Sequence, residues 1–200
     1  MNMFFLLLAV SFGIDGASLQ NWSGNYAPCN GHQNLLSRQH VDLGVRISTS
    51  NAVLAKHFEQ AMDFWSEVID VAWHEDDSKG CSIQLVDGAP ELFHAQAPGS
   101  CACISARAQI PSRQAFQGWI AFNPSAKLTQ EEMFKVSVHE IGHLLGLPHN
   151  PSGSSVMFFL ELDGSDSLDP ADLDALSKLH KLRPGILEKG AVTISPLTIP

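Results

Sequence analysis

The segment His139-Glu140-Ile141-Gly142-His143-Leu144-Leu145-Gly146-Leu147-Pro148-His149 constrains this chain more than any other. It has the pattern His-Glu-x-x-His-x-x-Gly-x-x-His. Five fixed positions in a chain of this length match by chance on the order of one time in ten thousand. The surroundings supply a helix for the pattern. Thr129 is a good N-cap and Glu132 follows three residues later, which makes a capping box, with Leu128 and Met133 as its hydrophobic staple. Phe134, Val138, Ile141 and Leu145 then mark one apolar stripe. His139 and His143 are one helical turn apart, so both imidazoles leave the opposite face. Gly146 is free to take a left-handed conformation and end the helix, and Pro148 keeps it from resuming, so His149 can come back to the same point.

Three imidazoles suit Zn²⁺ and leave one tetrahedral position for water, which separates a catalytic site from a closed structural one. Glu140 is beside the first ligand and placed to accept a proton from that water. A zinc ion lowers the pKa of its water to about 7, so hydroxide is available to attack a carbonyl carbon. Glu140 would then pass the proton to the leaving nitrogen. A lone His-x-x-x-His is usually a surface helix with satisfied histidines; the longer pattern and its stop signals argue against that here.

Charge narrows the partners. Asp plus Glu number 21 against 12 Lys plus Arg, a formal net charge of −9, and no basic cluster interrupts it. That excludes a binder of phosphate backbones, so no nucleic-acid partner is expected. A peptide or protein substrate and a monomer are expected instead. Phe4 to Val10 is an apolar run, extended weakly through Phe12 and Ile14, and small residues follow at Gly16, Ala17 and Ser18. The run is shorter than the about 20 residues a spanning helix needs. Residues 1–17 therefore read as a signal peptide, although no Lys or Arg precedes the run; a buried N-terminal strand or helix is the alternative. Export outside the cell or to a periplasm follows, with no stable membrane span. An even set of cysteines, Cys29, Cys81, Cys101 and Cys103, fits two disulfides in an exported chain. Side chains at i and i+2 of an extended segment do not meet, so Cys101 and Cys103 would each pair with one of Cys29 and Cys81. A Cys-x-Cys metal site is the weaker rival.

Residues 18–40 are polar and loop-like, an N-terminal extension. Val41 to Ile47 alternates as a half-buried strand. Leu54, Phe58, Met62, Trp65 and Val68 mark an amphipathic helix capped within Ser48–Asn51. Val71 to His74, Cys81 to Val86, Cys101 to Ile110 and Gly118 to Phe122 read as further strands. A last helix starts at Asp169 with Pro170 at its first position, and Pro184-Gly185 is expected to end it. The folded domain thus covers 41–183, and 184–200 is a tail.

With these elements the sequence resembles the metzincin clan of zinc endopeptidases, and within it a matrixin, the matrix-metalloproteinase type. Ser155-Val156-Met157-Phe158 is similar to the matrixin methionine turn, with Met157 at the matrixin distance from His149. Asn150 stands where astacins carry Glu and adamalysins Asp. Phe64-Trp65-Ser66-Glu67-Val68 is similar to the end of the first matrixin helix, and Leu168 to Leu173 to the start of the last. The resemblance implies an α+β, metzincin-like (zincin) fold. This is a twisted, mixed but mainly parallel sheet with two long helices, then a small C-terminal subdomain with one helix. It implies one catalytic zinc on His139, His143 and His149, with Glu140 as general base. It also implies that Gly118 to Asn123 is the sheet-edge strand above the cleft, so that Ile120, Ala121 and Phe122 line it and a substrate adds there as an antiparallel strand. Phe158 and Phe159 would wall the specificity pocket, favouring an apolar residue just after the cut bond.

Several matrixin features are altered. Of the histidines that hold a second, structural zinc only His94 has a counterpart, so no second zinc is expected. Asn123-Pro124-Ser125 replaces an acidic run that helps bind calcium, which leaves Ca²⁺ open. Ala171-Asp172 replaces two adjacent acidic residues, so Asp172 is left to brace the methionine turn. No long propeptide is expected before Val41, and the cysteine-switch sequence is missing; Cys29 as a cap on the zinc is less favoured than a disulfide, since it strands an odd cysteine. The function read from the sequence is a secreted zinc endopeptidase. Its alternatives are a non-catalytic zinc-binding module of the same fold, which leaves Glu140 unexplained, and a zinc amidase on smaller substrates. His32, His40, His57, His74, His94 and His180 read as ordinary core or surface residues.

Overall fold

The structure, a computed structural model, describes residues 38–75, 81–93, 105–110, 116–158 and 164–195. The predicted signal peptide, Cys29, His94, Cys101, Cys103 and Phe159 lie outside them. Strand β1 (Val41–Ser48) leads into helix α1 (Ala52–Val68), then β2 (Val71–Glu75) and β3 (Ser82–Asp87). A short 3₁₀ turn, Pro90–Phe93, precedes β4 (Ala106–Gln109), β5 (Gln117–Phe122) and helix α2 (Gln130–Leu144). The C-terminal part holds β6 (Ser167–Leu168), helix α3 (Pro170–Leu179), a 3₁₀ turn at Leu187–Lys189 and β7 (Val192–Thr193).

The five-stranded sheet has the order β2-β1-β3-β5-β4, parallel except for β4, which runs antiparallel to β5. The α+β architecture expected from the sequence is thus present. Register puts Val45 beside Ile83, Ile83 beside Gly118 and Leu85 beside Ile120. Val45, Ile83, Leu85 and Ile120 are fully buried on the face that meets α2. There a side chain on Gly118 would come within 3.0 Å of Leu144. Asn51 caps α1 by accepting the Val53 and Leu54 N–H groups. The buried Trp65 of α1 donates its indole N–H to the Val138 carbonyl of α2 at 3.1 Å, tying the two long helices together.

Two expectations are corrected. β5 is not the sheet edge: it pairs with β3 on one side and β4 on the other, and Ile120, Ala121 and Phe122 are buried. Its apolar run suits an interior strand, whereas the edge goes to the short β4 with Arg107 and Gln109. Helix α3 also ends at Leu179, well before Pro184-Gly185. The next residues pair with the end of α1 instead. Asp70 donates its N–H to the Lys181 carbonyl at 2.7 Å, and Arg183 donates to the Val68 carbonyl at 2.9 Å. Those bonds need extended backbone, so the helix stops at His180. Beyond it, Ile186 and Ile194 are buried and β7 pairs antiparallel with β6.

Candidate metal centre

Helix α2 is closed at both ends as its sequence requires. Glu132 donates its N–H to the Thr129 hydroxyl, and Thr129 donates its N–H to the Glu132 carboxylate at 2.6 Å. At the other end Gly146 has φ 97°. Gly146 N–H bonds to the His143 carbonyl and Leu147 N–H to the Gly142 carbonyl, both at 2.9 Å. This pair of bonds, with glycine in the left-handed region, is a Schellman ending. It turns the chain so that His149 comes back to His139 and His143.

The three side chains meet. Each offers a ligand atom, and these atoms all lie within 4.8 Å of one another, a spacing one ion can bridge. Ring centroids are 4.6 Å apart for His139 and His143, 5.4 Å for His139 and His149, and 4.7 Å for His143 and His149. His139 donates Nδ1–H to the Val156 carbonyl at 2.6 Å, and His143 to the Leu147 carbonyl at 2.8 Å. Those bonds fix the tautomer, so Nε2 is the nitrogen each ring presents to a metal. Burial, with a smaller push from His149 and against the Val156 carbonyl, lowers the His139 pKa to about 4. Burial also lowers His143 well below its ordinary value, with repulsion from His139 adding to it, and it lowers His149. All three are therefore neutral near pH 7, the form that binds a metal. Among the described residues this is the one cluster of three or more such ligands, and no fourth side chain joins it. The donor set fits zinc with one position left open.

Glu140 is buried beside the first ligand. Its carboxylate faces the backbone N–H of Ala108 on β4. Burial pushes its pKa up to about 7, opposed by that N–H and by the positive charge of Arg107. The alternation of β4 explains the contact. Asn123 donates its N–H to the Ser105 carbonyl at 2.8 Å, so residues 105, 107 and 109 turn their backbone groups toward β5. Ala106 and Ala108 turn theirs to the other side, where no described strand pairs and where the Ala108 N–H meets Glu140.

Met157 lies fully buried under the helix. A side chain on Gly142 would come within 2.7 Å of its sulfur and 3.2 Å of Trp65, so only glycine lets α2 sit this close. A polar cluster holds the turn. Asp172 accepts the Ser155 hydroxyl at 2.6 Å, the Asn150 side-chain amide at 2.9 Å and the Asp169 N–H at 3.0 Å. Asn150 also donates to Asp169, and Met157 donates its N–H to the Ser155 hydroxyl, both at 2.9 Å. Burial raises the Asp172 pKa, while the Ser155 and Asn150 bonds oppose the shift.

Comparison with known proteins agrees with this geometry. The family profile described as Matrixin matches residues 39–181. The chain belongs to the matrixin family. It is 28% identical to human matrix metalloproteinase-21 over 182 residues, covering 82% of this chain and 31% of that protein. It is 30% identical to the mouse protein of the same name over 129 residues, covering 62% of this chain and 23% of that one. This matrixin thus spans less than a third of the length of the relatives it matches.

The matrixin site contains some predicted residues and not others. The three histidines, Glu140 and Met157 come together, with the half-buried Phe158 next to the turn. Ile120, Ala121 and Phe122 sit inside the sheet. Cys81 is buried at the entry to β3, and its predicted disulfide partners lie outside the described residues. Sequence reasoning missed Ala108, whose part depends on strand order. It also missed the bonds from Asn150 to α3, although an amide directly after the third histidine was a usable signal. No described helix is long and apolar enough to cross a membrane.

Proposed function

We propose that this matrixin is an exported zinc-dependent endopeptidase that cuts peptide or protein chains laid along β4. His139, His143 and His149 would hold one Zn²⁺. Zinc in that position supplies Lewis acidity, which acidifies a water and polarises the carbonyl to be cut. Glu140 takes the water's proton on its carboxylate and hands it to the leaving nitrogen as the C–N bond breaks. Burial raises its pKa in metal-free protein, and a bound dication would draw it down again, toward the ionised form that accepts the proton. The side of β4 turned away from β5 offers the Ala106 backbone groups and the Ala108 carbonyl to an extended substrate, which would add as a strand. Phe158 and Phe159, which follow Met157 in the sequence, favour an apolar residue after the cut bond.

The observation that carries this reading is the juxtaposition of three neutral imidazoles with a buried carboxylate beside β4, the edge strand of the described sheet. Residues 1–17 support export, and Cys29, Cys81, Cys101 and Cys103 support two disulfides outside the cell. A mixed peptide pool incubated with the zinc-loaded protein tests the activity. Mass spectrometry should find internal cuts that a chelator abolishes. Folded, zinc-loaded protein that cuts nothing would favour a binding module, and cuts confined to small amides would favour an amidase.

A further inference from the structure

His180 is a buried imidazole that the chemistry above does not use. It is the residue at which α3 ends, and its Nε2–H donates to the Leu145 carbonyl at 2.7 Å, across 35 positions of sequence. Leu145 is the C-cap of α2, so its carbonyl is one of the acceptors a helix end leaves without an intrahelical partner. From Leu145 the chain runs through the Gly146 turn to His149 and Asn150. At Asn150 it is tied again, through the side-chain amide to Asp169 and Asp172 at the start of α3. The third ligand is therefore carried on a short span between two anchors, both on α3, which are about 15 Å apart along that helix. The same span feeds back to the second ligand, because His143 is oriented by the Leu147 carbonyl at 2.8 Å.

We propose that His180 is a positioning residue for the metal centre: through Leu145 it holds the 145–149 span in the place that sets His149 and the His143 ring. This rests on the reading that the three histidines bind zinc. It also assigns a task to a histidine that lies far from all three proposed ligands in sequence.

Two readouts on the whole chain separate the clamp from the zinc reading. The first is zinc affinity, by competition with a fluorescent chelator where circular dichroism shows each protein folded. The second is amide hydrogen exchange at Gly146 and Leu147 in zinc-free protein. His180→Ala should weaken zinc binding by about 10–100-fold, the range for groups that orient metal ligands. It should also speed exchange at those two amides. His180→Gln, whose side-chain amide can replace Nε2–H, should restore both. Zinc affinity within about twofold of wild type in His180→Ala would overturn the proposal, whatever the exchange shows. Wild-type protein that binds no zinc, with exchange speeded in His180→Ala, would sink the zinc reading and leave the clamp standing. If exchange is also unchanged, both fall. If His180→Ala does not fold, His180→Gln against His180→Asn, whose amide falls short of the carbonyl, gives the same comparison.

Discussion

The first two imidazoles and the third are held by different physics. His139 and His143 stand on α2, which is fixed by apolar packing: Phe134, Val138, Ile141 and Leu144 are buried against the sheet and α1. His149 stands on an irregular segment where the buried Leu145 and Leu147 are supplemented by polar bonds to α3, through Asn150, Asp169, Asp172 and His180. Apolar packing is non-directional and resists loss of any one contact gradually, whereas a hydrogen-bonded cluster depends on every partner being present. Damage to the body should therefore appear as lost stability. Damage to the C-terminal part should appear as a misplaced third ligand and methionine turn.

The largest expected effect sharpens the first half of that contrast. Trp65→Ala removes the largest fully buried side chain among the described residues and its bond to Val138, and should cost about 3–5 kcal/mol in denaturant unfolding. Asp172→Ala comes next. It leaves the buried Ser155 hydroxyl without its acceptor, at about 1–3 kcal/mol, while the Asn150 amide keeps Asp169. It should lower zinc affinity more than Trp65→Ala does among molecules that remain folded. The opposite order would break the comparison. Thr129→Ala removes one side of the α2 capping box far from the metal, and should cost about 1 kcal/mol with zinc affinity unchanged.

The smallest effect is a pH dependence. Hydrogen bonds from Lys181 and His40, with the nearby Arg183 charge, hold the Asp70 carboxyl at about 2, below its ordinary 3.8. A carboxylate with a depressed folded pKa adds stability above its unfolded value and loses it as pH falls toward the folded one. Denaturant midpoints should therefore drop between about pH 4 and pH 2, and Asp70→Asn should flatten that slope. His40 is shifted up by the same Asp70, so its share is present below 6.5 and fades as pH rises past its folded value.

What was legible in the sequence follows the same division. Helix α2, its caps and its terminal glycine were readable because each signal lies within a few residues of its effect: Thr129 with Glu132, and Gly146 after Leu145. The cluster of three histidines was readable because its spacing is itself a helical period plus a turn. The sheet edge was not, because an apolar run such as Trp119 to Phe122 reports burial but not which neighbours bury it. Strand order is decided by pairing over long separations. The end of α3 was misplaced for a similar reason: Leu182 is apolar at helical spacing, but its backbone bridges to Ile69. Pro184 looked like the local stop, while the distant end of α1 supplied the real one.

The most direct test of the central claim is Glu140→Gln, assayed for zinc content and peptide cleavage in the same preparation. The account predicts one zinc per chain in both proteins, cleavage by the wild type, and none above background in the variant. The variant loses only the proton acceptor and keeps all three imidazoles. Cleavage by Glu140→Gln at a rate near wild type would contradict the assignment of Glu140 as the base. Wild-type protein that carries zinc and cuts no peptide would contradict the endopeptidase itself.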